Sequence, residues 1–208
     1  MTEVCNKCHG GRKITWAVVA GAALLSGCGA ITKQTFELGL IPVVSTADHV
    51  RITQKKQVQI LVANPDALKA LDGQDIVIRE EDGSIAYLKG AQWSDRLPSI
   101  VQARIAQVFE DTRLLGGVGR PGDGLAINYQ IISDIRVFGI DLDSNGKFAH
   151  VEITVKVLDD KTGNIRRTRV FSARNPVQGM RNGDYAKALD GAFATVLGDI
   201  VHWTLDGL

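Results

Sequence analysis

Cys28 is the residue of this sequence whose surroundings most clearly specify a chemical modification. It ends an apolar run at residues 14–25 that continues as Ser26 and Gly27, and Arg12 and Lys13 precede the run. A secretory signal has a basic start, about 7 to 15 apolar residues and small residues at the cleavage site. The run is too short to span a bilayer, which takes roughly 20 apolar residues. The pattern predicts a signal peptide at residues 1–27, whose removal leaves Cys28 first.

The Leu-Ser-Gly-Cys segment at residues 25–28 resembles the lipobox of bacterial lipoproteins. The resemblance implies a diacylglycerol thioether on Cys28 and a further acyl chain, such as palmitate, on its amine. One acyl chain binds a membrane only marginally, whereas two or three make an effectively permanent anchor. In this class an Asp after the lipidated Cys retains the protein at the inner membrane. Here Gly29 follows, which favours the periplasmic face of the outer membrane.

A second group of residues has the composition of a calcium site. Asp141, Asp143, Asn145 and Glu152 match ligand positions of the twelve-residue calcium loop of an EF-hand. That loop joins two helices, whereas the residues on both sides here alternate between apolar and polar, as strands do. A hairpin turn rich in Asp, Asn and Gly explains the same residues. We favour the hairpin and keep calcium binding as the alternative.

Two further motif matches stand in the wrong context for their chemistry. Residues 5–9 match the Cys-x-x-Cys-His pattern of c-type haem attachment, but they precede the apolar run and are lost with the leader. Residues 117–122 match Gly-x-Gly-x-x-Gly, yet they follow a predicted helix and contain Pro121. A dinucleotide loop must instead leave a strand and open a helix. We therefore interpret residues 116–124 as a flexible loop.

The remaining candidates for catalysis are isolated histidines at positions 49, 150 and 202. None of them belongs to a hydrolase or zinc-protease motif. The sequence therefore predicts a protein that is not an enzyme, with no metal and no cofactor other than the covalent lipid on Cys28.

Charge and cysteine content narrow the class further. The chain has 208 residues, with 24 Lys and Arg against 23 Asp and Glu. This near-neutral balance argues against a nucleic-acid partner, which favours a basic face or stripe. Only Cys28 remains after the leader is removed, so we expect no disulfide framework.

The apolar pattern predicts which elements carry these residues. Residues 28–34 form a short tether, and residues 35–208 form one domain. Ser94 caps a first helix that ends near Thr112, and a second amphipathic helix covers residues 184–205. Strands are predicted at residues 35–40, 58–62, 75–79, 84–88, 126–137, 151–157 and 165–172, with a helical turn at residues 66–71.

The order of these elements indicates a fold class. The last three strands are joined by short turns, which predicts an antiparallel meander. Strands followed by a helix, then strands and a second helix, are typical of an α+β fold. We expect an antiparallel or mixed sheet with two main amphipathic helices packed on one face.

Several short motifs carry a family resemblance across nearly the whole mature chain. They are Phe-Glu-Leu at 36–38, Ile-Ala-Tyr at 85–87, Ala-Gln-Trp-Ser-Asp at 91–95 running on to Leu97 and Pro98, Val-Gln-Ala-Arg at 101–104 and Gly-Arg-Pro-Gly at 119–122. With these motifs the sequence resembles the ABC-type transport auxiliary lipoproteins, which are related to the outer-membrane lipoprotein of the paraquat-inducible lipid-transport system.

The resemblance implies a non-enzymatic accessory subunit of a transporter that moves phospholipid or other lipids between membranes. Its companions in that family are an ABC ATPase, a permease and a periplasmic MCE-domain protein. We expect the anchored domain to dock the MCE protein at the outer membrane through Tyr87, Trp93 and Arg96, with an exposed Trp93 as an interface anchor. The alternative is a lipid-binding module that holds an acyl chain, which requires an apolar cavity of several hundred Å³.

Overall fold

The computed structural model describes residues 32–39 and 54–208, which form nine strands and two α-helices. The predictions for the leader and for Cys28 lie outside the described residues. The helices are α1 (Leu97–Thr112) and α2 (Asn182–Gly207). The strands are β1 (Gln34–Phe36), β2 (Lys55–Val62), β3 (Asp66–Ala67), β4 (Asp75–Arg79), β5 (Ile85–Trp93), β6 (Leu115–Gly119), β7 (Tyr129–Asp143), β8 (Gly146–Asp159) and β9 (Asn164–Pro176).

Strand β7 organises the sheet. Along one edge it pairs antiparallel with β8, which in turn pairs antiparallel with β9. Along the other edge it pairs in parallel with β2, β3 and β4, one after another. Strand β6 extends the sheet beyond β2, and β5 and β1 extend it beyond β4. The sheet is therefore mixed, and the predicted meander is confirmed as β7, β8 and β9.

One face of the sheet is buried under the helices, and we call it the helix face. Alternate residues of β8, from Ala149 to Val157, are almost fully buried there, as the period of two predicts. Three aromatic rings fill the centre of this layer: Trp93 and Phe138 are 5.9 Å apart, and Phe138 and Phe193 of α2 are 5.4 Å apart. Buried residues of both helices join the same apolar core, so the predicted α+β class is confirmed.

The opposite face, which we call the outer face, carries the alternate residues. Val77 of β4 pairs with Gly139 of β7, and Gly139 pairs with His150 of β8. Directly paired residues point to the same side of a sheet, so these three residues lie on the outer face together. The cross-strand distance at Gly139 is short, because a Cβ there would lie 2.6 Å from the Val77 carbonyl oxygen.

The glycine-rich segment that was interpreted as a flexible loop is in part a strand. Residues Leu115–Gly119 form β6 and pair in parallel with β2. Glycine favours neither strand nor helix, so no residue pattern predicted this pairing. Gly116 suits the position, because a Cβ there would overlap the Lys56 carbonyl group. The prediction of a loop is correct only for the residues after Gly119.

Two local predictions next to the first helix are also wrong. Helix α1 begins at Leu97 after Arg96, and no side chain caps it. Ser94 instead continues the sheet, since its backbone N–H donates to the Phe36 carbonyl oxygen at 2.8 Å. The helical turn predicted at residues 66–71 is wrong for its first two residues, which form β3 and pair with β7. Its remainder is a turn, in which the Asp72 N–H donates to the Leu68 carbonyl oxygen at 3.0 Å. In both places, sheet pairing displaced the conformation that local propensity favoured.

Candidate docking surface

An apolar pocket opens on the outer face, between the segment after β3 and the strands β4, β5 and β7. Its volume is about 150 Å³. Two arginines, Arg79 and Arg136, lie at its rim, and Arg136 is 3.9 Å from the carboxylates of both Asp134 and Glu152. The apolar walls come from Leu68, Ala70, Leu71, Val77, Ile85, Val137, Phe138 and Gly139.

Exposed apolar side chains surround this pocket. Leu68 is 75% exposed, Ile85 is 52% exposed and Tyr87 is 50% exposed. Tyr87 is contiguous with the pocket because it pairs directly with Val77, and Ile85 pairs with Arg79. Contiguous exposed apolar surface marks interaction sites in soluble domains. We call the set Leu68, Ile85 and Tyr87, with the pocket between them, the outer-face patch.

A row of polar side chains borders the patch. Asp141 accepts hydrogen bonds from Arg79 Nε at 3.0 Å and Nη2 at 2.6 Å. His150 Nδ1 lies 2.8 Å from Asp141 Oδ2, and His150 Nε2 lies 3.2 Å from Ser172 Oγ. The order Asp, His, Ser is that of a nucleophilic triad. However, Ser172 stands exposed on strand β9, where water screens the charges that a preorganised site must stabilise. The row is better explained as polar cross-strand pairing on a solvated face.

Tyr87 and Trp93, both predicted docking residues of β5, lie on opposite faces of the sheet. Trp93 is 1% exposed and packs on Phe138 in the helix face. The prediction that it is an exposed anchor is therefore wrong, because a partner cannot reach its ring. Residues six apart in a regular strand share a face. Here β5 has a bulge at Gly90, whose φ is +73°, and the pairing with β4 slips by three residues.

Arg96, the third predicted docking residue, is accessible. Its side chain is 55% exposed, and its guanidinium donates to the Asp72 carboxylate. Asp72 follows directly on Leu71, a wall of the pocket. The structure therefore connects Arg96 to the outer-face patch through residues 68–72.

Sequence reasoning missed most of the outer-face patch. Leu68 lies in a segment that was predicted as a helical turn, and Ile85 and Val137 have the alternation of ordinary strand residues. No short-range pattern marks a pocket whose walls come from four separate segments.

The candidate calcium residues form a hairpin, as we favoured. Asp143 pairs with Gly146 across the β7–β8 turn, and Glu152 lies far along β8 opposite Val137. Asp143 is held by Arg174, whose hydrogen bond lowers the pKa of that carboxyl group. Within residues 32–39 and 54–208, no three His, Cys, Asp or Glu side chains are grouped in a way that could hold a metal ion.

Neither α1 nor α2, the helices of the described part of the chain, has the length and apolar character needed to cross a bilayer.

Similar folds define the class of protein. Protein XCC0632 from Xanthomonas campestris, of the DUF330 family, superposes with a TM-score of 0.66 at 25% identity, over 72% of this chain and 84% of that one. The crystal structure of an uncharacterized protein superposes with a TM-score of 0.64 at 14% identity, over 83% of this chain and 99% of that one. The fold is thus one that other solved proteins share.

A family model then identifies the chain more closely. The model for the ABC-type transport auxiliary lipoprotein component matches residues 41–201, and this chain belongs to that family. Uncharacterized protein bll6063 from Bradyrhizobium diazoefficiens is 24% identical in an alignment of 196 positions that covers 90% of this chain. The chain spans about half the length of that relative, 49%. Membership of a transport lipoprotein family is consistent with a place in the cell envelope.

Proposed function

We propose that this protein is the non-enzymatic accessory subunit of an ABC transporter that moves phospholipid between the membranes of the envelope. Acyl chains on Cys28 anchor it to the periplasmic face of the outer membrane. The folded domain holds the periplasmic MCE-domain protein of the transporter at that membrane. The observation that carries the proposal is the outer-face patch, an apolar surface around a pocket on the side of the sheet opposite the helices.

The size of the patch supports docking. Full burial of a large apolar side chain is worth about 1.5–3 kcal/mol, so covering a half-exposed one yields roughly 1 kcal/mol. Leu68, Ile85 and Tyr87 together therefore supply a few kcal/mol to an interface, concentrated around one pocket. Such clustered apolar anchors are typical of binding hot spots. Arg96 at the border of the patch adds a charged group of the kind found at interface rims.

The dimensions of the pocket favour docking over lipid carriage. Sites that enclose a small molecule usually measure about 300–1,000 Å³. The outer-face pocket has about 150 Å³, and it opens on the face opposite the packed aromatic layer. A cavity of this size accepts one side chain of a partner. Two larger pockets, of about 460 and 330 Å³, have charged side chains such as Asp123 and Asp184 in their lining, which does not suit an acyl chain. The alternative function, a module that carries an acyl chain in its own interior, therefore stands second.

The test compares two equally exposed isoleucines. The full chain is purified from membranes of its source, with Ile85→Ser as the test variant and Ile165→Ser as the control. Both side chains are 52% exposed, and Ile165 lies on β9, away from the patch. We expect an MCE-domain protein to co-purify with the wild type and the control and to be lost from the Ile85 variant.

Two results contradict the proposal. Recovery of the MCE protein with all three chains shows that the patch is not the docking surface. Stoichiometric lipid without any protein partner supports the carrier function instead. Thermal melting of the variants is the check on folding, since a loss of binding counts only for a chain that melts like the wild type.

A further inference from the structure

The structure indicates which end of the domain faces the membrane. Strand β1 is the first element after the tether, and its Gln34 pairs in parallel with Ala91 of β5. From there the chain runs along α2 in the direction of the helix. A Cβ on Gly183 would lie 3.9 Å from the Phe36 ring, and further on the Gly39 N–H donates to Asp190 at 2.7 Å. The start of β1 and the start of α2 therefore lie at the same end.

A third contact fixes the side from which the tether enters. The Asn182 side chain at the start of α2 donates to the Lys89 carbonyl oxygen at 3.2 Å. Lys89 stands two residues before Ala91, so it lies on the side toward which the chain before Gln34 extends. The loop at residues 177–181 leads directly into Asn182. The start of β1, where the tether joins the domain, and this loop therefore lie at one end of the domain.

The tether is short compared with the domain. Gln34 lies six positions after Cys28, and a fully extended chain of that length reaches about 20 Å. A domain of this length has a radius of gyration of about 16 Å, so it is roughly twice as wide as the tether is long. An anchor at Cys28 would therefore hold Gln34 within about 20 Å of the bilayer, a distance shorter than the domain is wide.

The loop at this end carries the most exposed large apolar side chain that the structure describes. Met180 is 81% exposed. Its presentation is fixed by the backbone, because Gly179 has a φ of +113° and the Arg181 N–H donates to Asp184 Oδ2 at 3.0 Å. A Cβ on Gly179 would overlap the Asp184 carboxylate, so this turn requires glycine.

The charges at this end are mixed. Arg181 is 88% exposed but forms an ion pair with Asp184. Exposed Lys89 adds positive charge, whereas the β4–β5 turn at residues 80–82 adds two Glu and one Asp. A surface of mixed charge gains little from an anionic membrane. It suits zwitterionic headgroups, between which a long flexible apolar side chain inserts while a neighbouring cation stays in water.

We propose that the loop at residues 177–181 contacts the phospholipid bilayer and that Met180 inserts into its interface. The proposal rests on the lipid anchor of the proposed function and adds a defined orientation to it. The domain thus stands with the start of α2 on the membrane and with the start of β7 facing away.

A site-specific fluorophore tests this orientation. Cys28 is acylated in the mature lipoprotein and Cys5 and Cys8 are lost with the leader, so an introduced cysteine is the only free thiol. Met180→Cys and, as the control, Leu125→Cys are labelled with an environment-sensitive dye. Leu125 is 41% exposed and precedes β7 at the opposite end of the domain. The lipidated full-length proteins are reconstituted into vesicles of phosphatidylcholine and phosphatidylethanolamine.

We expect the dye at position 180 to shift its emission to the blue and to be quenched by lipids that carry a spin label near the headgroup. The dye at position 125 should show neither effect. An unchanged emission at position 180, or equal responses at both positions, overturns the proposed orientation while leaving the anchor intact. Labelling of the wild-type chain, which has a free thiol only if Cys28 is not acylated or the leader with Cys5 and Cys8 is retained, contradicts the processed anchor and with it this inference.

Discussion

Replacement of Trp93 by alanine should lower the stability of the domain, whereas replacement of Tyr87 should mainly weaken partner binding. The two residues nevertheless lie close together in the sequence. Trp93 is 1% exposed, and its ring lies 5.9 Å from Phe138, which in turn contacts Phe193 of α2. Removing such a side chain costs both its transfer free energy and a cavity, about 3–5 kcal/mol. Tyr87 is half exposed, so its removal should cost only about 1 kcal/mol.

These free energies translate into melting temperatures. For a domain of 150–250 residues, 1 kcal/mol corresponds to roughly 2–4 °C. Trp93→Ala should therefore lower Tm by about 6–20 °C, and Tyr87→Ala by about 2–4 °C. The measurement is thermal unfolding of the full chain in detergent, monitored through its near-ultraviolet circular dichroism. When the same variants are tested for binding of the MCE protein, Tyr87→Ala should bind less although it remains folded at the assay temperature.

Either of two results would refute the assignment of faces. A Trp93→Ala chain that melts within about 2 °C of the wild type shows that the ring is not part of the core. A Tyr87→Ala chain as destabilised as the Trp93 variant shows that the β5 bulge does not separate the two side chains. Loss of partner binding by the Trp93 variant bears on the docking surface only if binding is measured below the melting temperature of that variant.

Three further predictions concern other parts of the fold. Gly116→Ala should destabilise the domain by about 2 kcal/mol, because the added Cβ meets the Lys56 carbonyl group of β2. Gly73→Ala, which has open space around the added Cβ, should leave the stability nearly unchanged. Equal Tm values for the two variants would disprove the close approach of β6 to β2. Hydrogen bonds from Arg181 hold the pKa of Asp184 below 3.8, so its stabilisation is present above that pH and is lost as pH falls through the lower folded-state pKa. The Tm difference between the wild type and Asp184→Asn should therefore be largest near neutral pH and should shrink as the pH falls below 3.8. A Tm difference that does not change with pH would contradict the link between the Asp184 pKa and stability. Millimolar calcium should leave Tm unchanged, because the carboxylates of the β7–β8 hairpin pair with arginines and are not grouped as ligands. A rise in Tm on addition of calcium would support the calcium site instead.

The comparison of Tyr87 with Trp93 shows how far periodic patterns reach. Along β8 the alternation of apolar and polar residues predicted correctly which residues face the core, because both of its neighbours pair with it over most of its length. Along β5 the same rule fails at Gly90, because a bulge with a left-handed glycine is a property of the pairing and not of the residue pattern.

The sequence by itself determined the elements that are long and regular: the meander, both amphipathic helices, the α+β class and the family. These follow from periods of 2 and 3.6 residues and from short motifs, which are local properties of the chain. Only the tertiary structure decided that Leu68, Ile85 and Val137 line one pocket, that β6 is a strand, and that β1 and Met180 lie at one end. These features depend on contacts between segments far apart in sequence, and the apolar patterns of those segments are satisfied equally well in many arrangements.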